Sequence, residues 1–167
     1  MGYAYISAIG QDSHRFSTAE ELATQPRDLV LGGVTIPGAP ALAGNSDADV
    51  ILHAITNAIS GFTGINILGG AADKLCLEQG ITDSREYLKL ALVDLGDWEL
   101  CHISMSVEAL RPKLMPWIGE IRASVAELTG LNIASVTMTA TTGEGLTDFG
   151  RGLGMQCICI ISARRPE

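Results

Sequence analysis

Asp12 and His14, in the segment IGQDSHRF, set a carboxylate and an imidazole two residues apart. On an extended chain such a pair projects to one side, so both groups can grip a single metal ion. The spacing by itself also suits two polar side chains at a strand end. His53 lies in SDADVILHAITNAIS, one helical turn after Asp49 and beside an apolar stripe. Two readings of it stand: a half-buried helix histidine bonded to Asp49, or a further ligand. Taken together, Asp12, His14 and His53 form a three-ligand set with room for a substrate oxygen, the pattern of a catalytic zinc site with one open position. His102, in LCHISMSVEA, has no comparable companions and reads as structural.

A second group is Ala140-Thr141-Thr142-Gly143-Glu144-Gly145. Small residues and hydroxyls at a strand end, followed by Gly, make a loop whose N–H and O–H groups can face a phosphate. Glu144 offers a hard oxygen ligand suited to Mg²⁺ on a diphosphate. An ordinary turn with a solvated Glu is the competing reading. Lys113, between Pro112 and Pro116, can pair with a phosphate or simply face solvent. No Ser-His-Asp set, P-loop or G-x-G-x-x-G fingerprint is present, and GRGLG at 150–154 lacks the Walker lysine.

These residues need elements to hold them. Tyr3 to Ser13 reads as a first strand, and LVLGGVTI at 29–36 as a hairpin turning at Gly32-Gly33. Ser46 is placed to cap a helix whose apolar face is Val50, Ile51, Ala54, Ile55, Ala58 and Ile59, ending at Gly61 and Gly64. The stretch 69–80 reads as irregular with a short helical turn at 71–77. A helix follows from Asp83-Ser84 to near Gly96, then a strand over 100–109 and a helix from Pro116 to Leu128, stopped by Gly130. Residues 136–141 and 155–162 read as a closing strand pair. The expectation is an α/β, two-layer (α+β) single domain over 1–167: one mixed sheet with helices on one face. Its other face then needs cover, most economically from copies of itself.

Bulk properties narrow the function. A net charge of −8 argues against a nucleic-acid partner, which demands a basic face, but not against a small phosphorylated one. No apolar stretch is long enough to cross a bilayer, so no membrane partner is expected. Cys76, Cys101, Cys157 and Cys159 fall at no disulfide or zinc-ribbon spacing, which suits a reducing, cytoplasmic compartment.

The order and spacing of IGQDSHRF, LGGVTIP, NSDADVILHAI, the Asp-Ser at 83–84, RPKLMP and TATTGEGLTDFGRGLGM are similar to the 2-C-methyl-D-erythritol 2,4-cyclodiphosphate synthase family along nearly the whole chain. The resemblance implies a homotrimer packing sheets around a three-fold axis, with active sites at subunit interfaces. It implies zinc, or a similar divalent cation, at Asp12, His14 and His53, and Mg²⁺ or Mn²⁺ at Glu144 on the diphosphate. Asn45, Ser46, Ala140, Thr141 and Thr142 would meet substrate phosphates. Ala109, Lys113, Leu114 and Met115 would read cytosine, and Arg151 would face an axial cavity able to hold an isoprenoid diphosphate. The implied reaction is metal-assisted cyclisation of a CDP-linked substrate with release of CMP, in the bacterial or the mature plastid form. The sequence departs from the family pattern at Asn45, where His is usual, at Gln11 and Asp148, and across GINILGGAADKLCLEQG at 64–80.

Overall fold

The computed structural model describes residues 2–167. Its main sheet has the order β1-β6-β4-β5, from β1 (Tyr3–Arg15), β4 (Glu99–Glu108), β5 (Val136–Thr141) and β6 (Gly154–Pro166). β6 runs antiparallel to both β1 and β4, while β4 and β5 are parallel, so the sheet is mixed as expected. The expected closing pair does not form: β5 and β6 are not neighbours, and β4 lies between them. Antiparallel β6 finds its partner at the far end of the sequence, in β1.

Side chains alternate across β6 with the period of two that a strand imposes. Met155, Cys157, Cys159, Ile161 and Ala163 are buried, whereas Ile158 and Ile160 are exposed. The buried face is covered by α2 (Val50–Thr63), which packs on β1 and β6, and by α5 (Ile118–Thr129), which packs on β5. α4 (Ser84–Val93) packs on α2, and α3 (Ala72–Gln79) is a fuller helix than the short turn expected there. α1 (Ala19–Thr24), a six-residue helix closed by a Thr18–Glu21 capping box, was not expected at all.

β2 (Leu29–Leu31) and β3 (Val34–Ile36) form the expected hairpin. Gly32 (φ 60°) and Gly33 (φ 79°) both adopt the left-handed conformation that a two-residue hairpin turn requires. The turn aims its N–H groups at the Asp49 carboxylate, which accepts from Gly32 at 2.8 Å, from Gly33 at 2.7 Å and from Leu52 at 3.0 Å. Asp49, not Ser46, is therefore the cap of α2. Ala48 sits at φ 56°, which breaks any helical run back to Ser46, and the Ser46 hydroxyl instead accepts from the Ala48 N–H. Gly61 lies inside α2, and Gly64 alone closes it, at φ 77°.

Burial pushes the Asp49 carboxyl up to about 6, although its three N–H donors pull the other way. The folded chain then holds this proton more tightly than the unfolded chain does. The resulting stability is present in full below about pH 4 and is lost as pH rises through about 6. Two pH units correspond to about 3 kcal/mol. Asp49→Asn should remove that slope. It should also cost about 1–3 kcal/mol at pH 4, because its amide turns a donor on one of the turn N–H groups. Urea unfolding at pH 4 and pH 7 measures both effects; the same slope in the variant would show that another group carries it.

Candidate metal and phosphate site

β1 sends Asp12 and His14 to the α2 side, and the first turn of α2 brings His53 against them. Asp12 Oδ2 lies 2.8 Å from His14 Nε2 and 3.0 Å from His53 Nδ1, and the two ring nitrogens are 3.3 Å apart. His14 Nδ1 lies 2.8 Å from the Ala43 carbonyl oxygen, which can only accept, so Nδ1 carries a hydrogen and Nε2 is the nitrogen that can bind a metal once it gives up its proton. An Asp/His/His set converging on one point can hold a metal ion, and two imidazoles with one carboxylate suit a divalent transition metal. The reading of His53 as a helix histidine bonded to the Asp49 side chain does not hold. That carboxylate is taken up by three backbone N–H groups, and only the His53 backbone N–H reaches the Asp49 carbonyl.

The electrostatics show how strongly this corner wants a cation. Burial alone would raise the Asp12 carboxyl, but its bonds to His14 and His53 outweigh it and hold the group at about 2. Burial alone would lower His14, but Asp12 raises it above its ordinary value. Without a metal, a shared proton takes the cation's place, so metal binding must displace protons.

The group opens into a cavity of about 330 Å³ that Asn45 and Ser46 also line. Its far wall comes from the segment 68–76, including Asp73 and Cys76, one helical turn apart on α3, and Tyr87 adds to it from α4. Asp73, Cys76 and Ser84, which touches His53, were not singled out as site residues; only the cap-forming Asp83-Ser84 pair hinted at the last. His102 stays outside the metal group, as expected.

The remaining site residues gather elsewhere. Ala140 and Thr141 end β5, and Ala109 follows β4 beside them, its N–H donating to the Thr141 carbonyl at 3.0 Å. Thr142, Glu144, Lys113 and Met115 are exposed nearby in sequence, while Leu114 is buried. Glu144 is held at φ 51°, next to Gly143, where a Cβ would collide with the Glu108 carboxylate. Arg151 donates to Asp148 at 3.0 Å and to the Gly145 carbonyl. None of these residues lines the metal cavity. β1 and β5 are opposite edges of the sheet with two strands between them, about 14 Å across at ordinary strand spacing.

Fold and site together define a mixed α/β protein with an Asp/His/His corner able to hold a metal ion on one sheet edge and a Thr-Thr-x-Glu loop on the other. The YgbB family model matches residues 5–164, and the chain belongs to that family. It is similar to the 2-C-methyl-D-erythritol 2,4-cyclodiphosphate synthase of Chlamydia abortus, at 44% identity over 161 residues, 96% of this chain and 89% of the relative. The enzyme of that name from Chlamydia trachomatis serovar L2b is 42% identical over 161 residues, 96% of this chain and 88% of the relative. Among solved structures, the bifunctional IspDF of Campylobacter jejuni matches with a TM-score of 0.86 and 27% identity, over 99% of this chain and 44% of its own. A CDP-bound 2C-methyl-D-erythritol-2,4-cyclodiphosphate synthase matches with a TM-score of 0.73 and 25% identity, over 93% and 98% of the two chains.

His53→Ala and Asp12→Asn should each leave the fold intact while lowering bound metal to background, read by emission spectroscopy after dialysis. Full metal content in either variant would place the ion elsewhere.

Proposed function

We propose that the chain converts 4-diphosphocytidyl-2-C-methyl-D-erythritol 2-phosphate into 2-C-methyl-D-erythritol 2,4-cyclodiphosphate and CMP, as a phosphorus–oxygen lyase. The observation that carries this is the convergence of Asp12, His14 and His53 in a chain whose relatives bear that enzyme's name over 96% of its length. The CDP-bound relative supports a cytidine nucleotide ligand.

An oxygen of the substrate's 2-phosphate attacks the β-phosphorus, and the bond from that phosphorus to the oxygen bridging to the α-phosphate breaks. CMP leaves with that electron pair. Nucleophile and leaving group are both anions, so neither a general base nor a strong acid is required. What the protein must supply is alignment and relief of repulsion between phosphates. Zinc at Asp12, His14 and His53, with Mg²⁺ or Mn²⁺ at Glu144, would supply that relief by withdrawing charge from phosphate oxygens. Ser46 and Asn45, which line the cavity, would donate to the phosphates. Thr141, Thr142 and the loop N–H groups would hold the nucleotide side, with the 109–115 segment on the cytosine.

The opposite-edge placement of the two groups argues for a shared site. In a homotrimer around a three-fold axis, the β5 edge of one copy would stand beside the β1 edge of the next. The uncovered sheet face fits such packing, since Ile9, Ile158 and Ile160 are 64%, 37% and 49% exposed and contiguous in the β1–β6 register.

Phosphorus NMR of the full substrate with Zn²⁺ and Mg²⁺ should show two mutually split ring-diphosphate signals and CMP, both lost on chelation. CMP without ring signals would mean hydrolysis. Unchanged substrate on a metal-loaded trimer would leave only a nucleotide-binding role.

A further inference from the structure

We propose that Ser84, held by Asp47, is a positioning residue that fixes His53 as the Nε2–H tautomer and so makes Nδ1 its metal-binding atom. This rests on the proposed metal site and goes beyond it, because neither residue is a ligand.

Ser84 opens α4 and is fully buried, at 0% exposure. Asp47 clamps it twice: Oδ2 accepts from the Ser84 N–H at 3.1 Å, and Oδ1 accepts from the Ser84 hydroxyl. Asp47 is itself anchored, its N–H donating to the Thr82 carbonyl at 2.8 Å and its Oδ1 accepting from the Asp49 N–H at 3.2 Å.

The number of available hydrogens decides the tautomer. A carboxylate can only accept, and a serine hydroxyl has one hydrogen to give. With that hydrogen on Asp47, Ser84 Oγ presents only lone pairs to His53 Nε2, 2.8 Å away. The contact is attractive only if Nε2 carries the ring hydrogen. Ser46 Oγ, 3.4 Å from the same nitrogen, already accepts from the Ala48 N–H and can accept there too. Nδ1 is then the unprotonated nitrogen; it faces Asp12 Oδ2 at 3.0 Å, so the contact is attractive only with a cation between the two, the place the metal would take. The opposite tautomer would set two lone pairs against each other at Nε2 and leave no pair for a metal at Nδ1. An acceptor on the other ring N–H of a ligand imidazole, often a carboxylate, fixes its tautomer and raises its basicity, and loss of such a partner lowers metal affinity about 10–100-fold. Here the acceptor is the serine that Asp47 holds, and the relay ties the metal corner to the start of α4.

The test reads the ring and the metal separately. Long-range ¹H–¹⁵N spectra of the zinc-loaded protein should show His53 with its hydrogen on Nε2. Competition with a chromophoric chelator should show Zn²⁺ binding weakened about 10–100-fold in Ser84→Ala, with the metal-free protein still unfolding in one cooperative transition. Asp47→Asn, whose amide can donate to Ser84 Oγ, frees the hydroxyl hydrogen for Nε2; it should shift the ring toward Nδ1–H and weaken Zn²⁺ similarly. An Nδ1–H ring in the zinc-loaded wild type overturns the proposal. So does wild-type affinity with an unchanged tautomer in both variants. A wild type with no measurable zinc affinity would instead sink the metal site itself.

Discussion

Helix α2 meets strand β1 backbone to backbone, and the chemistry of the molecule depends on that contact. At Gly10 a Cβ would collide with the backbone of Ala54 and Ala58, and at Gly61 it would come within 3.2 Å of the Ile9 carbonyl. Ala54, Ala58 and Gly61 recur at helical spacing, so the helix presents only small residues where it crosses the strand. The strand answers with Gly10 at the crossing point. Two residues further along β1 stands Asp12, and one residue before Ala54 stands His53. A bulkier crossing would lift the helix and open the distances of about 3 Å on which metal binding depends.

That approach brings together groups that repel unless a cation is shared among them. Asp12 stays ionised to about 2 and His14 holds its proton above the ordinary range, so the corner is poised to exchange a proton for a metal. The neighbouring carboxylates are kept from competing. Asp47 is occupied by Ser84 and the Asp49 N–H, and Asp49 by the hairpin turn and Leu52. In a chain of net charge −8, this division leaves a single carboxylate in the metal group.

Much of this was legible in the sequence, and what was not has identifiable causes. The Asp-x-His alternation, the Gly32-Gly33 turn and the limits of β5 follow from local periodicity and turn chemistry, and the structure agrees with them. The Ser46 cap failed because Ala48 adopts a left-handed conformation that its side chain gives no reason to expect. Of the two readings of His53, the grouping with Asp12 holds and the bond to the Asp49 side chain does not; its contact with Ser84, 31 residues away in the chain, lies beyond the reach of helical spacing. The β1–β6 pairing joins the two ends of the protein and is likewise invisible to local pattern. The Thr-Thr-x-Glu loop was placed correctly at a strand end, but nothing in the sequence says that β5 is the edge opposite β1.

The most direct test is a diffraction experiment on zinc-loaded crystals with data collected on both sides of the zinc absorption edge. One strong anomalous peak is expected about 2.0–2.2 Å from Asp12 Oδ2, His14 Nε2 and His53 Nδ1, with its open side toward the cavity. A peak held instead by Cys76 and Asp73, or one bound through His53 Nε2, would contradict this site.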